Sequence, residues 1–142
     1  MQDRPRAGTV YIVDDDPDVL SSLRFLFEIE GFKVKTFADG EQLLAAPQPQ
    51  PQDCLLIDYK LGPLDGLEVI RLLRERNVTT PIVLITIYEG LQKRAAALGV
   101  SHVLQKPHFE ENVVSRVETA MNWKAAHLDI AEKQEAADAA AH

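Results

Sequence analysis

The chain has 142 residues, and its 22 acidic against 15 basic side chains leave a formal charge of −7 at pH 7. That balance disfavours general nucleic-acid binding, because affinity for a phosphate backbone comes largely from lysine and arginine displacing condensed counterions. An apolar share of 46% suffices for the core of one domain, yet no apolar run nears the roughly 18 residues of a membrane helix and none follows the first residues as in a secretory signal, so a cytoplasmic protein is expected.

Short β-branched runs alternate with helical patterns along the chain, the pattern of a parallel sheet covered by helices. Thr9–Val13 reads as the first strand. Asp16 then stands as the N-cap before Pro17, and Leu20, Leu23, Leu26 and Phe27 recur at three- and four-residue steps until Gly31. Residues 33–38 alternate as a second strand and residues 41–46 form a short helix. Residues 47–52 hold three prolines among glutamines, which predicts an extended surface loop, a spacer in preference to a ligand for a proline-binding module. Residues 54–57 are apolar on both faces like a central strand, and Asp58 breaks that strand with a charge. Cys54, the single cysteine, reads as buried filler. Gly66 and Leu67 open a helix predicted to turn Val69, Ile70, Leu72 and Leu73 to the core and Arg71, Arg74 and Arg76 to water. Residues 82–85 are the fourth strand, ended by Thr86, and residues 90–98 an alanine-rich helix closed by Gly99. Val103 and Leu104 form a last short strand, followed by Lys106, Pro107 and a long helical pattern from about Glu110. Five β/α units make a doubly wound α/β fold with a five-stranded parallel sheet.

In open α/β sheets, ligands bind outside the carboxyl ends of the strands. The polar residues fall there: Asp14 and Asp15 after the first strand, Asp58 after the third, Thr86 after the fourth and Lys106 after the fifth. Two carboxylates about 4 Å apart repel by roughly 4 kcal/mol at an effective dielectric near 20, so a crowd of them calls for a cation. All-oxygen ligation favours a hard ion, Mg²⁺ first and Mn²⁺ as a substitute. A carboxylate flanked by such a metal, an ammonium and a hydroxyl is placed to attack phosphorus, and phosphoryl transfer onto aspartate is the chemistry inferred.

At this point residues 9–122 resemble the receiver domains of bacterial two-component response regulators. The resemblance rests on the acid pair in Val13-Asp14-Asp15-Asp16, the segment Leu56-Ile57-Asp58-Tyr59-Lys60-Leu61-Gly62-Pro63-Leu64-Asp65-Gly66, the hydroxyl in Leu84-Ile85-Thr86, and Leu104-Gln105-Lys106-Pro107, all in the family's order. It implies a flavodoxin-like sheet of strand order 2-1-3-4-5 and an aspartyl phosphate on Asp58, donated by a sensor histidine kinase. It also implies Mg²⁺ held by Asp15, Asp58 and the Lys60 backbone carbonyl, with Asp14 acting through metal-bound water. Thr86 and Lys106 would bind phosphoryl oxygens, and the Lys106-Pro107 bond would be cis. Three features depart from the family pattern, the mildest being Gly62-Pro63, where proline more often comes one residue sooner, a shift read as harmless loop geometry. Ile87 is large where a small residue is usual, and is expected to narrow the path to Asp58. Val103 stands where the family carries its signalling aromatic, so Tyr88, taken as the only nearby aromatic, is the substitute expected to move with Thr86.

Two further readings compete. A haloacid-dehalogenase-like phosphatase would use Asp14 and Asp16 as nucleophile and acid/base, and a receiver that signals without phosphate would serve as an interaction module. Asp16 on its own reads as a helix cap, and His102, His108, His127 and His142 show no metal-ligand spacing. Residues 1–8 read as a tail and 123–142 as a helical arm. The last helix is expected to run past the domain with Val113, Val117, Met121 and Leu128 in a stripe and Trp123 and Ile130 off it, and Trp123, Leu128 and Ile130 are candidates for pairing two copies as a homodimer. No DNA-binding domain fits in that remainder, which makes a freestanding receiver the expectation, working through its kinase, a histidine phosphotransfer protein or a direct target.

Overall fold

The computed structural model describes residues 8–100, 102–106 and 112–121. Five strands, β1 (Thr9–Val13), β2 (Lys33–Phe37), β3 (Cys54–Asp58), β4 (Ile82–Thr86) and β5 (His102–Gln105), form one sheet of order β2-β1-β3-β4-β5. Every pairing is parallel. Between them run α1 (Pro17–Ile29), α2 (Gly40–Ala45), α3 (Gly66–Glu75) and α4 (Gln92–Ala97), and residues 112–121 form α5. No helix among the described residues is long and apolar enough to cross a membrane.

Strand alternation divides the core into two layers, since successive side chains point to opposite faces. Tyr11, Val13, Leu55, Ile57, Ile82 and Leu84 pack with Leu43 of α2, Leu67, Val69, Ile70 and Leu73 of α3, and Ala95 of α4. Val10, Ile12, Cys54, Leu56, Val83 and Ile85 pack on the other side with Leu23 and Phe27 of α1 and with Val113, Val114, Val117 and Ala120 of α5. The central strands β3 and β4 are buried at every position, as a doubly covered parallel sheet requires. Asp16 caps α1 as expected, accepting from the amides of Asp18 and Val19, with Pro17 in the first turn. Cys54 is fully buried, and burial lifts its thiol to about 12, so it stays protonated at neutral pH.

Three expectations need correction. Leu72 is half-buried and lies outside the core that its neighbours Val69, Ile70 and Leu73 join. Pro49, in the proline-rich loop, is buried rather than exposed; the loop is drawn inward where Thr80 Oγ1 donates to Gln50 O (2.9 Å) and Asp53 accepts from the amides of Gln50 (2.7 Å) and Thr9 (2.8 Å). Arg74 does not face water. Its Nε donates to Leu98 O at 2.8 Å and its Nη1 to Val78 O at 2.8 Å and Thr80 O at 3.0 Å, tying the end of α3 to the entry of β4 and the end of α4. Burial holds its pKa below the usual value. Arg74→Met keeps the aliphatic stem but strips the donors from three carbonyls. It is expected to lower the unfolding free energy by about 2 kcal/mol, read as a lower urea midpoint at unchanged slope.

Candidate active site

In-register pairing builds the site. The parallel register sets Ile12 beside Leu56 and Val13 beside Ile57. Two residues beyond Ile12 and Leu56 the same face carries Asp14 and Asp58, so an apolar pair in the core becomes a pair of carboxylates where the strands end. Asp14 is 3% exposed and Asp58 7%. With the exposed Asp15 they can bring one oxygen each within 4.8 Å of one another. Asp14 is held by its amide, which donates to Phe37 O (3.1 Å), and by Oδ1, which accepts from the Asp16 amide (2.9 Å).

Lys106 reaches this cluster from the end of β5. Its amide donates to Thr86 O at 2.7 Å, continuing the β4–β5 ladder by one bond, and its ammonium stands 3.2 Å from Asp58 Oδ1. Thr86 is 1% exposed, and its Oγ1 accepts from the Tyr88 amide at 2.9 Å. These residues line an open cleft of about 290 Å³, together with Asp16, Val19, Tyr59, Lys60, Ile87 and Tyr88.

The electrostatics follow from that crowding. Burial is the main reason that the Asp58 carboxyl is pushed up to about 6, with Asp14 and Asp15 adding repulsion and Lys106 opposing both. Asp14 is raised as well, again chiefly by burial. Four acids, Asp14, Asp15, Asp16 and Asp58, line the recess against two lysines, Lys60 and Lys106, and leave a local negative excess; the carboxylates of Asp14, Asp15 and Asp58 make a donor set that suits a hard divalent cation. The donors present therefore fit Mg²⁺ or Mn²⁺.

The five strand-end residues singled out in the sequence, Asp14, Asp15, Asp58, Thr86 and Lys106, all line one cleft, and Lys60 lines it too. Ile87 borders the cleft but is 58% exposed, and Tyr88 is 46% exposed. Val103 sits in β5 opposite Leu84 and packs against the core. Asp16 uses its Oδ1 to cap α1, which counts against the acid/base role that the phosphatase reading requires. Tyr88 is not the only aromatic at hand: Tyr59 meets it edge to face, with ring centroids 5.7 Å apart. Its place immediately after Asp58 was the signal available in the sequence. The Lys106-Pro107 bond, His108, His127, His142 and the arm residues Trp123, Leu128 and Ile130 lie outside the described residues.

A family model described as the response regulator receiver domain matches residues 10–118. The chain is 32% identical over 111 residues to the probable transcriptional regulatory protein TcrX of Mycobacterium tuberculosis, covering 77% of this chain and 47% of that one. Among solved structures, the response regulator StyR superposes with a TM-score of 0.79 at 30% identity, covering 90% of this chain and 66% of that one. FixJ-N superposes with a TM-score of 0.73 at 28% identity, covering 82% and 95%. The chain spans about half the length of the curated relatives it matches.

Proposed function

Since the chain belongs to the response regulator receiver domain family, we propose that Asp58 accepts a phosphoryl group from a phosphohistidine of a sensor histidine kinase in the cytoplasm, with Mg²⁺ held by Asp14, Asp15, Asp58 and the Lys60 carbonyl. The observation that carries this reading is the Lys106 ammonium 3.2 Å from Asp58 Oδ1, inside a recess shared with two more carboxylates.

An Asp58 oxygen attacks phosphorus as the bond from phosphorus to the donor imidazole nitrogen breaks. The imidazole leaves with that electron pair, and an acyl phosphate remains on Asp58. Lys106 pairs with Asp58 before transfer and is within reach of a phosphoryl oxygen after it, so its charge follows the developing negative charge. The Thr86 hydroxyl, accepting from the Tyr88 amide, keeps its own proton free to donate to a second phosphoryl oxygen. Bound Mg²⁺ supplies positive charge that offsets both the clustered carboxylates and the transferring oxygens. Asp14 and Asp15 would hold that ion beside Asp58.

The product is a local change in charge and bonding at the β4 and β5 ends, and the output is a protein contact, with the kinase and a histidine phosphotransfer protein as partners of the same chemistry. Named relatives are transcriptional regulatory proteins whose chains are about twice as long. The acidic edge at the strand ends works against direct contact with a phosphate backbone.

Intact mass after incubation with Mg²⁺ and acetyl phosphate tests the reading. One added phosphoryl group is expected on the wild type and none on Asp58→Asn or without metal. An unmodified wild type that also stays unmodified with a phosphorylated kinase leaves the phosphate-independent interaction module in its place.

A further inference from the structure

The rings of the aromatic pair beside the cleft, Tyr59 and Tyr88, have no part in the phosphoryl transfer itself. Tyr59 is pinned by its backbone: its amide donates to Ile85 O at 2.8 Å and its carbonyl accepts from the Gly66 amide at 2.7 Å. Tyr88 sits in the irregular segment between β4 and α4, in which Gly90 adopts a left-handed conformation (φ +84°). Its ring meets the Tyr59 ring edge to face at an interplanar angle of 79°. Its amide makes the 2.9 Å bond to Thr86 Oγ1. Both rings also border a second open cavity of about 410 Å³, lined further by Lys60, Leu61, Gly62, Asp65 and Leu91. Tyr88 therefore has space to swing away from the cleft, and the Tyr59 ring is the wall it rests on.

We propose that Tyr59 is a positioning residue for Thr86: its ring holds Tyr88 in place, and the Tyr88 amide in turn fixes the Thr86 hydroxyl with a lone pair occupied and its proton directed to the phosphoryl group. This rests on the phosphoacceptor reading of Asp58. The physical chain is short. A hydroxyl that accepts one backbone amide bond is restricted in rotation and left with one proton to give. An edge-to-face aromatic pair shifts a local equilibrium by roughly three- to tenfold. Removing the Tyr59 ring releases that preference into the cavity beside it and lets Thr86 turn.

The test is the rate of phosphorylation by acetyl phosphate at saturating Mg²⁺, measured for Tyr59→Ala and Tyr59→Phe in the wild-type and in the Thr86→Ala backgrounds. Tyr59→Ala is expected to slow the wild type by roughly three- to tenfold, with Tyr59→Phe restoring the rate and Mg²⁺ affinity unchanged. In the Thr86→Ala background Tyr59→Ala is expected to have no further effect, as two residues acting through one link require. An equal loss in both backgrounds, or a phenylalanine as slow as alanine, overturns the proposal. If Tyr59→Ala does not fold, Tyr88→Ala reads the same link from the exposed ring, and a rate equal to the wild type overturns it. A wild type that takes up no phosphoryl group overturns the Asp58 reading itself, whereas an unaffected Tyr59→Ala beside an active wild type removes only the role of Tyr59.

Discussion

In the absence of metal, Asp58→Asn is expected to be more stable than the wild type at pH 7.5, with the gap closing as the pH falls from about 6 toward 4. The Asp58 carboxyl titrates near 6 in the folded protein, against 3.8 for an ordinary aspartate, because burial and the neighbouring Asp14 and Asp15 outweigh the attraction of Lys106. A pKa raised on folding means that the folded state binds more protons than the unfolded state between those two values. Stability is therefore lost as the pH rises through that window and stays low above it. The difference corresponds to about 3 kcal/mol at neutral pH, and asparagine removes the charge responsible. Urea unfolding with a chelator at pH 4, 5, 6 and 7.5 reads the effect. Millimolar Mg²⁺ should then raise the wild-type midpoint at pH 7.5 far more than that of the variant, because only the folded wild type gathers all three carboxylates. A variant less stable than the wild type at pH 7.5, or a gap that does not change with pH, contradicts this account of the site.

Gly66→Ala is expected to damage both the fold and the transfer reaction. A Cβ at this position would lie 2.7 Å from Asp58 O, 2.9 Å from Tyr59 Cα and 3.1 Å from a Leu84 methyl. The two nearest of these atoms are backbone, so the strand end that carries Asp58 has to move. The Gly66 amide also donates to Tyr59 O at 2.7 Å, closing the segment after β3 onto the start of α3, where the Asp65 carboxylate caps the Glu68 amide at 2.9 Å. Overpacking against fixed backbone costs about 1–3 kcal/mol, and if Asp58 is the phosphoacceptor proposed above, its displacement by close to 1 Å slows transfer on the order of a hundredfold. Gly62→Ala is the control: Gly62 adopts φ +97° but has nothing within 4 Å of a Cβ, so it strains its own turn by about 1–2 kcal/mol and leaves Asp58 where it is. Unfolding midpoints and phosphorylation rates of the two variants separate these effects, and a Gly66→Ala protein that phosphorylates at the wild-type rate removes the packing argument.

The elements were legible in the sequence because each rests on local signals. Thr9–Val13 is a β-branched run, Asp16 and Pro17 open α1, and residues 54–57 and 82–85 are apolar on every face, as strands buried between helices must be. The candidate chemistry was legible for a related reason: Asp58 interrupts an otherwise apolar strand, and Asp14, Thr86 and Lys106 stand at the ends of others, where parallel topology gathers ligand-binding groups. Register was not legible, since a shift by one residue would turn Asp14 or Asp58 to the opposite face. The pairing of Val13 with Ile57 is what brings the two carboxylates together. Nor did periodicity reveal that Arg74 would fold back on the carbonyls of Val78, Thr80 and Leu98. A helical wheel assigns a direction to a Cα, whereas a long side chain ends where unsatisfied acceptors wait. Tyr59 was passed over because its contact with Tyr88 joins two loops that lie 29 residues apart. Local order thus came from the sequence by itself. The distances that make the site, and the packing that sets its pKa values, came only from the tertiary structure, because they depend on which strand ends lie side by side and on how much water the fold excludes from between them.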